Sequence, residues 1–87
     1  MQETMHARDD RVALGASVTL RMGTDGEPVC YRIVEEKEAD IPSGKLSVSS
    51  PLARVLLGRE EDELVTVEAP GGTRTYRILE IRYDGQV

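Results

Sequence analysis

The sequence predicts an α+β domain: a twisted, mainly antiparallel sheet of about five strands with one short helix on a face. Three observations carry this. Eighty-seven residues are enough for one hydrophobic core, because a chain of this size buries roughly 60–65% of its unfolded surface. Apolar and polar residues alternate in short runs separated by glycine, proline and aspartate, which is the period of half-buried strands. A Ser-Ser-Pro sequence at Ser49, Ser50 and Pro51 opens a stripe at helical spacing.

Taken in order, residues 1–11 are polar and mixed in charge, and read as a tail or linker stub; the domain is expected over 12–87. Over 16–22, Ala16, Val18, Leu20 and Met22 alternate with Ser17, Thr19 and Arg21, giving the first strand with its core face. A turn over 23–26 leads to a second strand over 28–34, with Pro28 at its start because proline lacks the N–H that a ladder needs. Residues 35–44, rich in Glu and Asp, read as an acidic loop. A short strand over 45–48 runs into the helix start, where a serine caps free amides and Pro51 takes the first helical position. Leu52, Val55 and Leu56 recur at i, i+3 and i+4, and Gly58 closes the helix in a left-handed conformation. Arg59 and the run Glu60, Glu61, Asp62, Glu63 form a charged connector. A strand over 64–68, a turn at Pro70-Gly71-Gly72 and a long strand over 74–83 complete the chain. In that last strand Tyr76 and Ile78 share one parity and Leu79, Ile81 and Tyr83 the other, so a bulge is expected near Ile78 and Leu79.

Composition excludes several functions. Eleven Lys and Arg against sixteen Asp and Glu leave a formal charge of −5, which argues against a nucleic-acid backbone as the main partner, since such binders release counterions with a basic face. Three tyrosines with no Phe or Trp supply no stacking platform for bases. Cys30 is the single cysteine, so no internal disulfide and no Cys/His zinc cluster forms, and a reducing compartment fits. No apolar run approaches the roughly 20 residues that span a bilayer, and MQETMHARDD has no apolar secretory centre. A cytoplasmic, soluble domain without membrane contact is expected.

Chemistry-bearing groups are sparse. His6 stands in the polar tail with no nucleophile or orienting acid at a telling spacing. Cys30 lies among apolar neighbours and reads as a small buried hydrophobe, because no histidine is placed to activate it. Gly71-Gly72 joins two strands and does not open a helix, which removes a phosphate-loop reading. The acidic run 60–63 lacks the alternating ligands and turning glycine of a calcium loop, and reads as a solvated connector. No catalytic residue, metal ligand or cofactor is assigned. The Ser49-Ser50-Pro51 corner is the informative feature: a helix cap that also turns polar side chains and a rigid ring outward, where a partner can dock.

The order Gly15-Ala16-Ser17-Val18-Thr19-Leu20, Tyr31-Arg32-Ile33-Val34, Glu38-Ala39-Asp40, then Gly44 through Arg54, resembles the C-terminal domain of the bacterial transcript cleavage factors GreA and GreB. Leu56-Leu57-Gly58, the 60–63 run, Pro70-Gly71-Gly72, Tyr76-Arg77-Ile78 and Ile81-Arg82-Tyr83 continue it in register. The resemblance implies an FKBP-like fold and a role in holding a factor on RNA polymerase, at the β-prime coiled coil on the rim of the secondary channel. It places the docking corner at Ser49, Ser50 and Pro51, with Leu52 and Arg54 adjoining. One departure is Ser49, where relatives often carry Asn or Asp.

Family members also begin with a long coiled coil whose acidic tip works in the polymerase active site, and here about ten residues precede the domain. The expectation is a chain that binds polymerase without stimulating cleavage and competes with factors that do. The regulator of nucleoside diphosphate kinase, which shares this domain behind a short stub, is the second identity. An FKBP-type prolyl isomerase is the remote one, set back by the poor aromatic supply. Sequence-specific DNA binding is not expected.

Overall fold

A computed structural model describes residues 11–83; His6 and all of the expected tail except Arg11 lie outside the described residues. Strand β1 (Ser17–Met22) follows directly from its alternation: Ala16, Val18 and Leu20 are fully buried, while Ser17, Thr19 and Arg21 face the other way. Met22, expected on the buried face, is 44% exposed. It ends the strand opposite Tyr76 and beside the Gly23 turn, at the margin of the core.

Strand β2 (Val29–Val34) pairs antiparallel with β1, Ser17 opposite Arg32 and Leu20 opposite Val29. Pro28 immediately precedes the strand, where its missing N–H breaks no rung. Cys30 sits opposite Thr19, on the face away from the core, and is exposed. This corrects the expectation of a buried thiol: strand parity, which its apolar neighbours obscure, turns Cys30 outward.

The acidic loop winds into two short 3₁₀ turns, Glu36–Glu38 and Ile41–Ser43. Gly44 ends the second at φ 81°, a conformation that costs other residues a Cβ clash. The chain thereby enters β3 (Lys45–Ser47) parallel to β2, Arg32 opposite Lys45 and Val34 opposite Ser47. Helix α1 (Pro51–Leu56), β4 (Leu64–Ala69) and β5 (Gly72–Arg82) follow. The sheet order is β3-β2-β1-β5-β4, with every pair antiparallel except β2–β3. A mixed, mainly antiparallel five-stranded sheet with one short helix is the predicted architecture.

The parity switch in the last strand is a bulge. Thr19 faces Glu80 and Leu20 faces Ile78, so Leu79 is the extra residue on β5. The extra residue lets Ile78 and Ile81, three positions apart, both enter the core with Val18, Leu20, Ile33, Leu56 and Val65. On its other edge β5 pairs with β4 only as far as Arg77, opposite Leu64.

Beyond that point the acidic connector replaces a strand. Asp62, held at φ 72°, donates its N–H to the Ile78 carbonyl at 2.7 Å, and Ile78 N–H donates to the Glu63 carbonyl at 3.0 Å. The Glu61 carboxylate accepts the part-buried Ile81 N–H at 3.0 Å, and the Arg77 guanidinium donates to the Asp62 carbonyl at 3.1 Å. The run read from sequence as a solvated connector is therefore also the cover of a sheet edge.

Removing the Glu61 acceptor leaves a part-buried amide unpaired. Glu61→Ala is expected to cost about 1–2 kcal/mol, seen as a lower urea midpoint. Glu80→Ala, on the same strand but exposed, is expected to stay within about 0.5 kcal/mol of the parent.

Candidate functional site

The corner between β3 and α1 is built almost entirely from three serines. Val48 N–H reaches back to the Val34 carbonyl at 2.8 Å and makes the last rung of the β2–β3 pair. The chain then reverses. Ser50 N–H and Ser50 Oγ both donate to the Ser47 carbonyl, at 3.0 and 2.8 Å. The same Oγ accepts Ala53 N–H at 3.2 Å, satisfying one of the amides that a helix start leaves free. Ser47 Oγ accepts Ser49 N–H at 3.1 Å and shares a hydrogen bond with Ser49 Oγ at 2.9 Å. Pro51 holds the first helical position, and Arg54 N–H closes the first helical bond to the Ser50 carbonyl at 3.0 Å.

Six residues of helix are too few to persist alone, so packing fixes the corner. Ala53 and Leu56 are fully buried, with Leu52 and Val55 half-buried beside them. Ala53 was not singled out in the sequence, although its three-residue spacing from Leu56 carries the signal. At the far end Gly58, at φ 83°, donates to the Val12 carbonyl at 2.8 Å, and Val12 N–H donates to the Arg59 carbonyl at 2.9 Å. Arg59 also pairs with Glu63 at 3.5 Å, and Arg11 with Glu60 at 3.2 Å.

The structure brings the five predicted residues together on one turn and divides their work. Ser49, Pro51 and Arg54 are exposed, whereas Ser50 is half-buried and committed to the cap, and Leu52 is half-buried against the core. Among the described residues Arg54 has no ion-pair partner, so its guanidinium projects from the corner as an available cation. A hollow of about 350 Å³ lies elsewhere, lined by Leu14, Arg32, Val34, Glu35, Glu38 and Lys45 among others; it includes none of the five and brings no nucleophile and base together. No group of three His, Cys, Asp or Glu among the described residues is arranged to hold a metal ion. Likewise no described helix is long and apolar enough to cross a membrane. What the corner offers is a rigid, preorganised surface for contact.

The division of work sets a contrast in stability. Ser50→Ala removes the cap and is expected to cost about 1 kcal/mol, while Ser49→Ala, whose partners are exposed, is expected to change stability by less than about 0.5 kcal/mol. Urea unfolding of the two variants checks this.

Comparison with known proteins agrees with the fold. Residues 7–83 match the family model described as transcription elongation factor, GreA/GreB, C-term. The chain is 55% identical over 73 residues to transcription elongation factor GreA of Alkalilimnicola ehrlichii, covering 84% of this chain and 46% of that protein. It is 49% identical over 80 residues to GreA of an Anaeromyxobacter strain, covering 92% and 48%. Among solved structures, the GreA factor homolog Gfh1 of Thermus thermophilus superposes with TM-score 0.72 at 28% identity, covering 85% of this chain and 49% of that one. A GreA/GreB factor from Nitrosomonas europaea does so with TM-score 0.72 at 28% identity, covering 86% and 62%. The chain thus spans about half the length of the relatives it matches in sequence. A sheet of this order, a single capped helix and a family match over most of the chain lead to one assignment: these residues belong to the family of GreA/GreB transcription elongation factor C-terminal domains.

Proposed function

We propose that this domain docks on RNA polymerase, at the β-prime coiled coil on the rim of the secondary channel, through the corner formed by Ser49, Ser50, Pro51, Leu52 and Arg54. The observation that carries the reading is the corner itself: in a chain of the GreA/GreB family, a serine-built turn presents Ser49, Pro51 and Arg54 outward on a backbone that needs no rearrangement to bind. Preorganisation of this kind limits the ordering cost of association. Ser50 and Leu52 shape the surface from beneath, and Arg54 supplies a charge that can pair with a carboxylate on the partner. The domain works by contact and occupancy, without catalytic chemistry or a cofactor of its own, in the reducing cytoplasm where polymerase operates. Acting by itself, the 87-residue chain occupies the rim and competes with full-length cleavage factors.

Binding of the chain to core RNA polymerase, in competition with a full-length GreA, tests this. Mutual displacement is expected, together with slower cleavage in backtracked complexes as the chain is added. Arg54→Glu and Ser49→Arg are each expected to weaken binding about tenfold, or about 1.4 kcal/mol, with unchanged unfolding midpoints. Unaltered affinity in both folded variants would move the contact away from this corner.

A further inference from the structure

The sheet closes two of its margins with backbone that is not strand. On β3, both backbone groups of Lys45 bond to Asp40, at 2.9 and 3.0 Å, and the Ser47 carbonyl accepts the Ser50 amide and hydroxyl. On β5, the connector covers the run beyond Arg77. The outer edge of β4, at the end of the strand order, has no such cover. Gly23 N–H donates to the Thr75 carbonyl at 3.3 Å, so Thr75 turns its backbone groups toward β1. By alternation Arg74 and Tyr76 turn theirs toward β4, where Val67 and Val65 stand opposite. Leu64, Thr66 and Glu68 therefore direct N–H and carbonyl outward. Among the described residues none of these groups has a hydrogen-bond partner.

An open edge of this kind is a template for another strand unless something blunts it. The segment from Leu64 to Ala69 contains no lysine, proline or bulge, and Glu68 is its single charge. Leu64, 57% exposed, shares the solvent face with Thr66 and Glu68, while Val65 is buried and Val67 half-buried on the core face.

We propose that this edge pairs antiparallel with the same edge of a second copy of the chain, about a twofold axis at Thr66. Leu64 then lies opposite Glu68 of the second copy and Thr66 opposite its own counterpart, so all the outward groups of both edges bond to one another. The pattern of charge selects this register. With the axis one residue earlier, at Val65, Asp62 would face Glu68 of the second copy, and like charges directly opposite are destabilising. With the axis one residue later, at Val67, Leu64 would face Pro70, which has no N–H to give. At Thr66 neither conflict arises: Asp62 and Glu63 meet the uncharged Pro70 and Ala69 of the second copy. Threonine also faces threonine, a favourable cross-strand pair. On the core face Val65 stands beside Val67 of the second copy at a non-hydrogen-bonded position, where side chains approach most closely. A strand of unrelated sequence would gain the backbone bonds without these matches. The pairing is separate from the serine corner, and its test requires no polymerase.

The contact is well short of the roughly 20–30 residues a side of a standard interface, so the dimer is expected to be weak. The experiment is sedimentation equilibrium of the 87-residue chain from about 10 μM to about 1 mM, the span in which so small a contact half-forms. The average mass is expected to rise toward twice that of the chain. Thr66→Arg and Thr66→Glu each set like charges across the axis, and each is expected to weaken association about fivefold or more. Their equimolar mixture sets opposite charges there and is expected to associate at least as well as the parent. Circular dichroism spectra matching the parent show that both variants remain folded, because the Thr66 side chain is exposed. A parent that stays monomeric to 1 mM would overturn the proposal and leave the edge to a strand of another protein. Single variants that associate like the parent would place the contact elsewhere and overturn it too. Failure of the mixture to recover association would overturn the register about Thr66, and the proposal with it.

Discussion

The extra residue at Leu79 is the constraint on which the rest of the domain depends. A regular β5 would turn Ile78 and Ile81 to opposite faces; with the bulge both enter the core, one on either side of the register shift. The same strand runs past the end of its pairing with β4 and leaves amides and carbonyls to be satisfied along the 78–82 stretch. The connector meets that demand with two backbone bonds and the Glu61 carboxylate. Because the connector begins where α1 ends, fixing it against β5 also fixes the helix, with its Ala53 and Leu56 in the core, and hence the height at which Ser49 and Pro51 emerge. Core packing, edge cover and the exposed corner are consequences of one irregularity.

Much of this was legible in the residues. Clean alternation at β1 gives its faces directly, and the change of parity between Tyr76 and Ile81 announces the bulge. The Ser-Ser-Pro start is equally local: a cap is decided by a side chain and an amide three residues away, so sequence contains the whole interaction. Gly58 is readable for the same reason.

What the sequence obscured depends on pairing between distant segments. The parallel entry of β3 follows from how two 3₁₀ turns spend the 35–44 loop, which composition does not specify. Cys30 looked buried because apolar neighbours on both sides mask the parity that sends it outward. Glu61 looked like one more solvated carboxylate, since its partner, the Ile81 amide, is twenty positions away. Of the corner, the sequence supplied the residues and the resemblance supplied their role; the geometry added that Ser50 works inward and Ser49 outward.

The clasp between Val12 and the end of α1 has a mechanical meaning. Gly58 and Arg59 bond both backbone groups of Val12, and the Tyr83 hydroxyl donates to the Arg11 carbonyl at 2.6 Å. A six-residue helix is about 9 Å long, so the chain enters the domain at one end of a short rod whose other end is the serine corner. Tension applied at Arg11 meets these three hydrogen bonds first and loads the rod at its base, with the corner at its tip. A pull at the domain's entrance therefore reaches the base of the helix through Gly58 and Arg59 and the end of β5 through Tyr83 at the same time.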